Sequence, residues 1–122
     1  RMLKESSNEE DVSLFRPRKW FVRSIALYSY IVWGKFNNRI VWDVLHGYRG
    51  MSVSDFNRLN ILKNGISVDI EMIVKSYKSG FNYIEFPTKE KSRDHGKTHF
   101  PALSSGFSIL KYLLFETVGK FK

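Results

Sequence analysis

Two short segments carry the side chains best suited to hold an anion. The first is Asp43-Val44-Leu45-His46-Gly47-Tyr48-Arg49. An acid at the end of an apolar run, a Gly that lets the backbone turn tightly, and an Arg two residues later can line one pocket. There the Asp orients a hydroxyl or a cation, and the Arg offers phosphate a planar two-point fork. The second is Arg93-Asp94-His95-Gly96-Lys97-Thr98-His99, downstream of Phe86-Pro87. Several cations around a Gly suit a phosphate clamp. For each segment the competing reading is a solvated charged turn. Gly96-Lys97-Thr98 looks like the tail of a nucleotide-binding P-loop, but Lys91 stands where that motif needs its first Gly, so a P-loop NTPase is rejected. His95 and His99 are four apart, yet a loop does not fix them on one face, and no zinc site is expected. No Ser-His-Asp arrangement follows from the spacing. With no cysteine in the chain, disulfides, thiol nucleophiles and Cys-based zinc sites are excluded.

The elements that must position these residues can be read from pattern. Pro17 suits the first turn of a helix over 17–33, and Gly34 suits its end. That helix is apolar on almost every face, so it needs cover on most sides. Residues 40–45, 48–52 and 82–86 have the composition of short strands, the last ended by Pro87. Ser52 or Ser54 can cap a short helix reaching about residue 61, with Asp55 in its first turn. Ser67 is a candidate cap for a helix whose core face is Ile66, Ile70, Ile73, Val74 and Tyr77, with Gly80 as its stop. A basic loop follows over 88–99, and an amphipathic helix over about 105–118. The expectation is an α/β chain with few strands and flanking helices. So few strands make a poor independent sheet, which points to part of a larger domain. The chain opens on Arg1 instead of Met, and the natural N-terminus is expected upstream.

With 122 residues, 43% hydrophobic and 16% aromatic, the chain can bury one core and is not a disordered class. The net charge of +8 predicts an anionic partner: phosphate, nucleic acid or a membrane surface. Arg23 interrupts the longest apolar stretch, residues 20–33, which is also too short to span a bilayer. The first residues are polar and acidic, unlike a secretory signal. Lys4 to Ser13 reads as a solvated loop.

Taken in order, Asp43-x-x-x-Gly47-x-Arg49, Glu71 in a helix, Tyr83-Ile84-Glu85-Phe86-Pro87, and Arg93-x-x-Gly96-Lys97-Thr98 resemble the second half of family 2 glycosyltransferases. The chain is most similar there to the dolichyl-phosphate mannose synthases and bacterial polyprenyl-phosphate glycosyltransferases. In that family an Asp-x-x-Ser-Gly-Phe-Arg segment precedes a Glu-bearing helix, a Glu-(Val/Ile)-Pro strand and an Arg-x-x-Gly-x-Ser loop. Here His46 stands where Ser is usual, and the nucleotide-binding strands and Asp-x-Asp motif are absent. The resemblance covers nearly the whole chain. It implies the C-terminal, acceptor-side part of a GT-A sheet domain, with residues 1–122 as one fragment and 88–122 as a basic loop plus membrane-proximal helix. It also implies inverting transfer from a nucleotide-sugar to a polyprenyl phosphate. By this resemblance Asp43 is the catalytic-side acid, Arg1, Arg49, Arg93, Lys97 and Thr98 bind phosphate or substrate, and Glu71 and His46 are further candidates. A divalent metal, Mg or Mn, would be held by residues outside this chain, and the fragment alone is expected to be inactive. The resemblance places the protein on the cytoplasmic side, peripheral at the inner face of an anionic membrane. Self-association through the apolar first helix is a further expectation.

A second reading is a non-enzymatic basic module that docks on anionic membrane or nucleic acid. Charge and interleaved aromatics support it, but no nucleic-acid-binding motif is present and no nucleic acid partner is expected. A processive polysaccharide synthase would carry Gln-x-x-Arg-Trp, which the chain lacks.

Overall fold

The structure, a computed structural model, describes residues 17–34, 39–45, 48–88 and 102–121. Four helices form in these segments: α1 (Pro17–Trp33), α2 (Val53–Leu59), α3 (Ser67–Lys78) and α4 (Ala102–Phe121). α3 is the hub, since α1, α2 and α4 each pack against it.

α1 begins at Pro17 and turns Val22, Ile25, Ala26, Ser29 and Trp33 into the core, an i, i+3, i+4 stripe. Gly34 follows because no larger residue fits. A Cβ there would stand 2.5 Å from Cδ2 of Tyr30. α2 is capped by Ser52, whose Oγ accepts the Asp55 N–H at 3.0 Å and donates to its carboxylate at 2.8 Å. It ends on Asn60 in the left-handed region at φ 46°.

α3 buries Ile70, Ile73, Val74 and Tyr77, the face read from the spacing. Its start differs from expectation. Ile66 takes the cap position and makes no side-chain cap hydrogen bond, so Ser67 is the first helical residue and not the cap. Its end is a Schellman motif, in which Phe81 N–H reaches Ser76 O at 3.1 Å and Gly80 N–H reaches Tyr77 O at 3.2 Å. Gly80 sits at φ 68°, which is why a glycine is required. α4 closes the core with Ile109, Tyr112 and Leu113 and is tied to α3 by the Lys78–Glu116 ion pair.

The α/β expectation is corrected: there is no strand among the described residues, and the fold they show is all-helical, not a few-stranded part of a GT-A sheet. The physical reason lies in the backbone donors. Val41 N–H donates to the Tyr77 hydroxyl at 2.9 Å. Trp42 and Asp43 N–H both donate to Glu85 Oε1, at 3.0 and 3.1 Å. Side chains take the donors that a ladder would have used, and runs this short gain little from pairing with each other. Residues 82–86 keep their period of two without a ladder. Tyr83 and Glu85 turn inward, while Ile84 and Phe86 are 75% and 74% exposed.

Candidate functional site

Residues 41–43 and 48–51, α3 and residues 82–88 enclose a cleft of about 440 Å³. Asp43, Tyr48 and Arg49 come from the first motif, Met72 and Ser76 from α3, and Tyr83, Ile84, Glu85, Phe86 and Thr88 from the third segment. Two of the four stretches that carried the family resemblance, some forty residues apart, therefore share one wall of the molecule. The Glu85 carboxylate joins them by accepting the N–H groups of Trp42 and Asp43.

Arg49 is built in. Its Nη1 donates to the Asp69 carbonyl at 3.1 Å, Nη2 donates to the Val44 carbonyl at 2.5 Å, and Nε lies 3.9 Å from the Asp69 carboxylate. The side chain is 15% exposed. Burial lowers its pKa, while Asp69, Asp43, Tyr83 and Glu85 act in the opposite direction. The guanidinium thus staples the 43–44 turn onto the start of α3. Asp43, half-buried, is held in the same turn.

Tyr83 stacks edge-on against Tyr77, with centroids 5.4 Å apart. Burial, with Tyr77 adding, raises the pKa of its hydroxyl against the opposing effects of Ser76 and Arg49, so it stays a neutral phenol. Asp43, Arg49, Tyr83 and Glu85 give the cleft one cation, two carboxylates and a phenol. That set suits a hydroxyl-bearing ligand. A phosphate would need further cations brought to the mouth. Tyr48, Ile84 and Phe86 are exposed and give that mouth an apolar rim.

Glu71 lies elsewhere. It is 2% exposed, pairs with Lys75 Nζ at 2.8 Å and accepts the N–H groups of Leu62 and Lys63 at 3.1 and 2.7 Å. Burial alone would raise its pKa, but Lys75 and the Lys63 and Leu62 amides outweigh it and the net direction is down. Glu71 therefore acts as an anchor that fastens the 60–63 segment onto α3. Arg1, His46, Arg93, Lys97 and Thr98 fall outside the described residues. Reasoning from sequence placed Glu85 and Tyr83 in a motif but not in the site. The signal available was their shared parity in 82–86, which turns both to one side.

The divalent metal that the resemblance implies is one held outside this chain. Among the described residues no group of three or more His, Asp or Glu side chains could hold an ion, and Glu85 accepts two backbone amides. No family model, no curated protein and no solved structure matches the chain.

Proposed function

We propose that this chain is the acceptor-side part of a glycosyltransferase that moves a sugar from a nucleotide-sugar to a polyprenyl phosphate. The observation that carries the reading is the cleft itself. Asp43 and Arg49 of the first motif and Tyr83, Ile84, Glu85 and Phe86 of the third line one cavity, and the Glu85 hydrogen bonds join the two segments. In the proposed reaction a phosphate oxygen of the acceptor attacks the anomeric carbon from the face opposite the leaving group. The new O–C bond forms as the bond to the nucleoside diphosphate breaks, and the diphosphate leaves with the electron pair. An anionic phosphate needs no strong base, so the protein's task is orientation and charge screening.

Asp43 faces the sugar or the acceptor in this reading. Arg49 holds the Asp43 turn in place instead of clamping phosphate. Arg93, Lys97 and Thr98 from the basic loop bring the phosphate to the mouth, with Arg1 as a further cation. The donor nucleotide, and any divalent metal with it, would be held outside this chain. The protein would work on the cytoplasmic side, peripheral at the inner face of a membrane. Among the described residues no helix is long and apolar enough to cross one.

The test is binding of farnesyl phosphate against farnesol by calorimetry. The reading expects the phosphate to bind, farnesol to bind at least about tenfold more weakly, and Arg93→Ala with Lys97→Ala to abolish the difference. Equal affinity for the two ligands, or none for either, would remove the acceptor role.

A further inference from the structure

α1 and α4 meet at two points. The Phe21 ring comes within 3.5 Å of the position a Cβ on Gly106 would occupy, and the Tyr28 hydroxyl shares a 2.7 Å hydrogen bond with Thr117 Oγ1. Early residues meet early and late meet late, so the pair runs in the same direction. Their inner faces cover α3. Their outer faces are apolar as well. On α1, Trp20, Leu27 and Ile31 are 57%, 41% and 67% exposed; on α4, Leu103, Phe107 and Leu114 are also exposed. The α4 spacing of four and seven keeps these three on one stripe. From Leu103 to Leu114 that stripe runs about 17 Å. Six large apolar side chains exposed on two neighbouring helices mark a candidate interaction surface.

Charge identifies what covers it. The sequence of α1 contains no acid but has Arg18, Lys19 and Arg23, of which Arg23 is exposed. In α4 the one acid, Glu116, is paired with Lys78, and Lys111 is exposed. The whole chain carries +8. A second copy would bring the same charge and be repelled, whereas an anionic lipid surface attracts basic residues and accepts apolar side chains together. No described helix can cross a bilayer, so the pair would lie on it.

We infer that the outer face of the α1–α4 pair docks on an anionic lipid bilayer, with Trp20 and Phe107 entering the headgroup boundary and Arg23 and Lys111 meeting lipid phosphates. This surface is distinct from the cleft, and the inference stands whether or not the cleft handles a sugar. It adds a docking face made by two helices to the peripheral placement proposed above.

The test is co-sedimentation of the chain with phosphatidylcholine vesicles, with and without phosphatidylglycerol, at low and high salt. Expected are binding that needs phosphatidylglycerol and weakens with salt, and roughly tenfold weaker binding for Phe107→Ser with Leu114→Ser. These side chains are exposed, so thermal melts of that variant should match the parent. Trp fluorescence quenched by brominated lipid, and lost in Trp20→Phe, would place α1 at the surface. Equal binding to neutral vesicles, binding unaffected by the double substitution, or a stable dimer in sedimentation that the same substitution dissociates would overturn the inference. The last outcome would assign the face to a second copy.

Discussion

The Glu85 carboxylate accepts the Asp43 backbone N–H at 3.1 Å across a sequence separation of 42 residues. With the Trp42 N–H on the same oxygen, this contact holds the first motif against the third. Glu85→Gln keeps the shape but weakens both bonds, because an ionised acceptor is roughly twice as strong as a neutral one. Glu85→Ala leaves two amide donors without their acceptor and should destabilise the fold by about 2 kcal/mol. Urea unfolding should rank wild type above Glu85→Gln above Glu85→Ala. Equal midpoints for all three would mean that the contact does not hold the cleft closed.

Arg49 should behave as a structural residue before it behaves as a ligand. Arg49→Ala removes the donors that serve the carbonyls of Val44 and Asp69 and the guanidinium 3.9 Å from the Asp69 carboxylate. A loss of about 2–4 kcal/mol is expected. Arg49→Lys should recover only part, since one ammonium cannot reach all these oxygens in the fork geometry. Differential scanning calorimetry checks this. An Arg49→Ala melt within a degree of wild type would return the guanidinium to the pool of phosphate ligands.

Acid should loosen the 60–63 segment through Glu71. The folded-state pKa of this buried carboxyl is below its ordinary value of 4.5. A depressed carboxylate pKa contributes stability that is present above the unfolded-state value. It is lost as pH falls through the folded one. The urea midpoint should therefore fall as pH is taken below about 4.5, and Glu71→Gln should flatten that part of the profile. At neutral pH Glu71→Gln itself should cost about 1–3 kcal/mol. The half-exposed Lys78–Glu116 pair gives the contrast, since Glu116→Gln should change stability by about 1 kcal/mol or less. An acid limb of equal steepness in wild type and Glu71→Gln would assign the transition to other carboxyls.

Gly80 closes α3 at φ 68° with open space around it. Gly80→Ala should therefore cost only the backbone term, about 1 kcal/mol. Gly34→Ala meets the Tyr30 ring directly and should cost more. Because Tyr30 also packs edge-on against Tyr77 at 6.2 Å, the disturbance should be visible in near-ultraviolet circular dichroism. Similar melts for the two variants would contradict the close approach at Gly34.

The helices were legible where a cap or a stop marked them. Pro17, Gly34, Ser52 and Gly80 each stand at or beside the boundary they signal. The start of α3 was misread because Ser67 has cap chemistry, whereas Ile66 holds the cap position without using a side chain. The short strands were misread for a different reason. Composition shows that residues such as Val41 and Trp42 favour extended backbone, but not who will take their N–H groups, and here Tyr77 and Glu85 take them. The cleft was legible only in pieces. Asp43 was identified from type and spacing. The burial of Arg49 depends on Asp69, twenty residues away, and a local motif cannot report that contact. Glu71 could be placed on a helix, yet its amide partners at 62 and 63 come from the far side of a turn.

The most direct test of the transferase proposal is transfer of a radiolabelled sugar from nucleotide-sugars to a polyprenyl phosphate by the full-length protein, measured as kcat/KM beside thermal melts. The account predicts transfer by wild type. For Arg93→Ala it predicts a loss of about one to two orders of magnitude with an unchanged melt, since a charged hydrogen bond to phosphate contributes about 1.5–3 kcal/mol. No transfer to the lipid phosphate from any nucleotide-sugar, or an Arg93→Ala enzyme with wild-type kcat/KM, would contradict it.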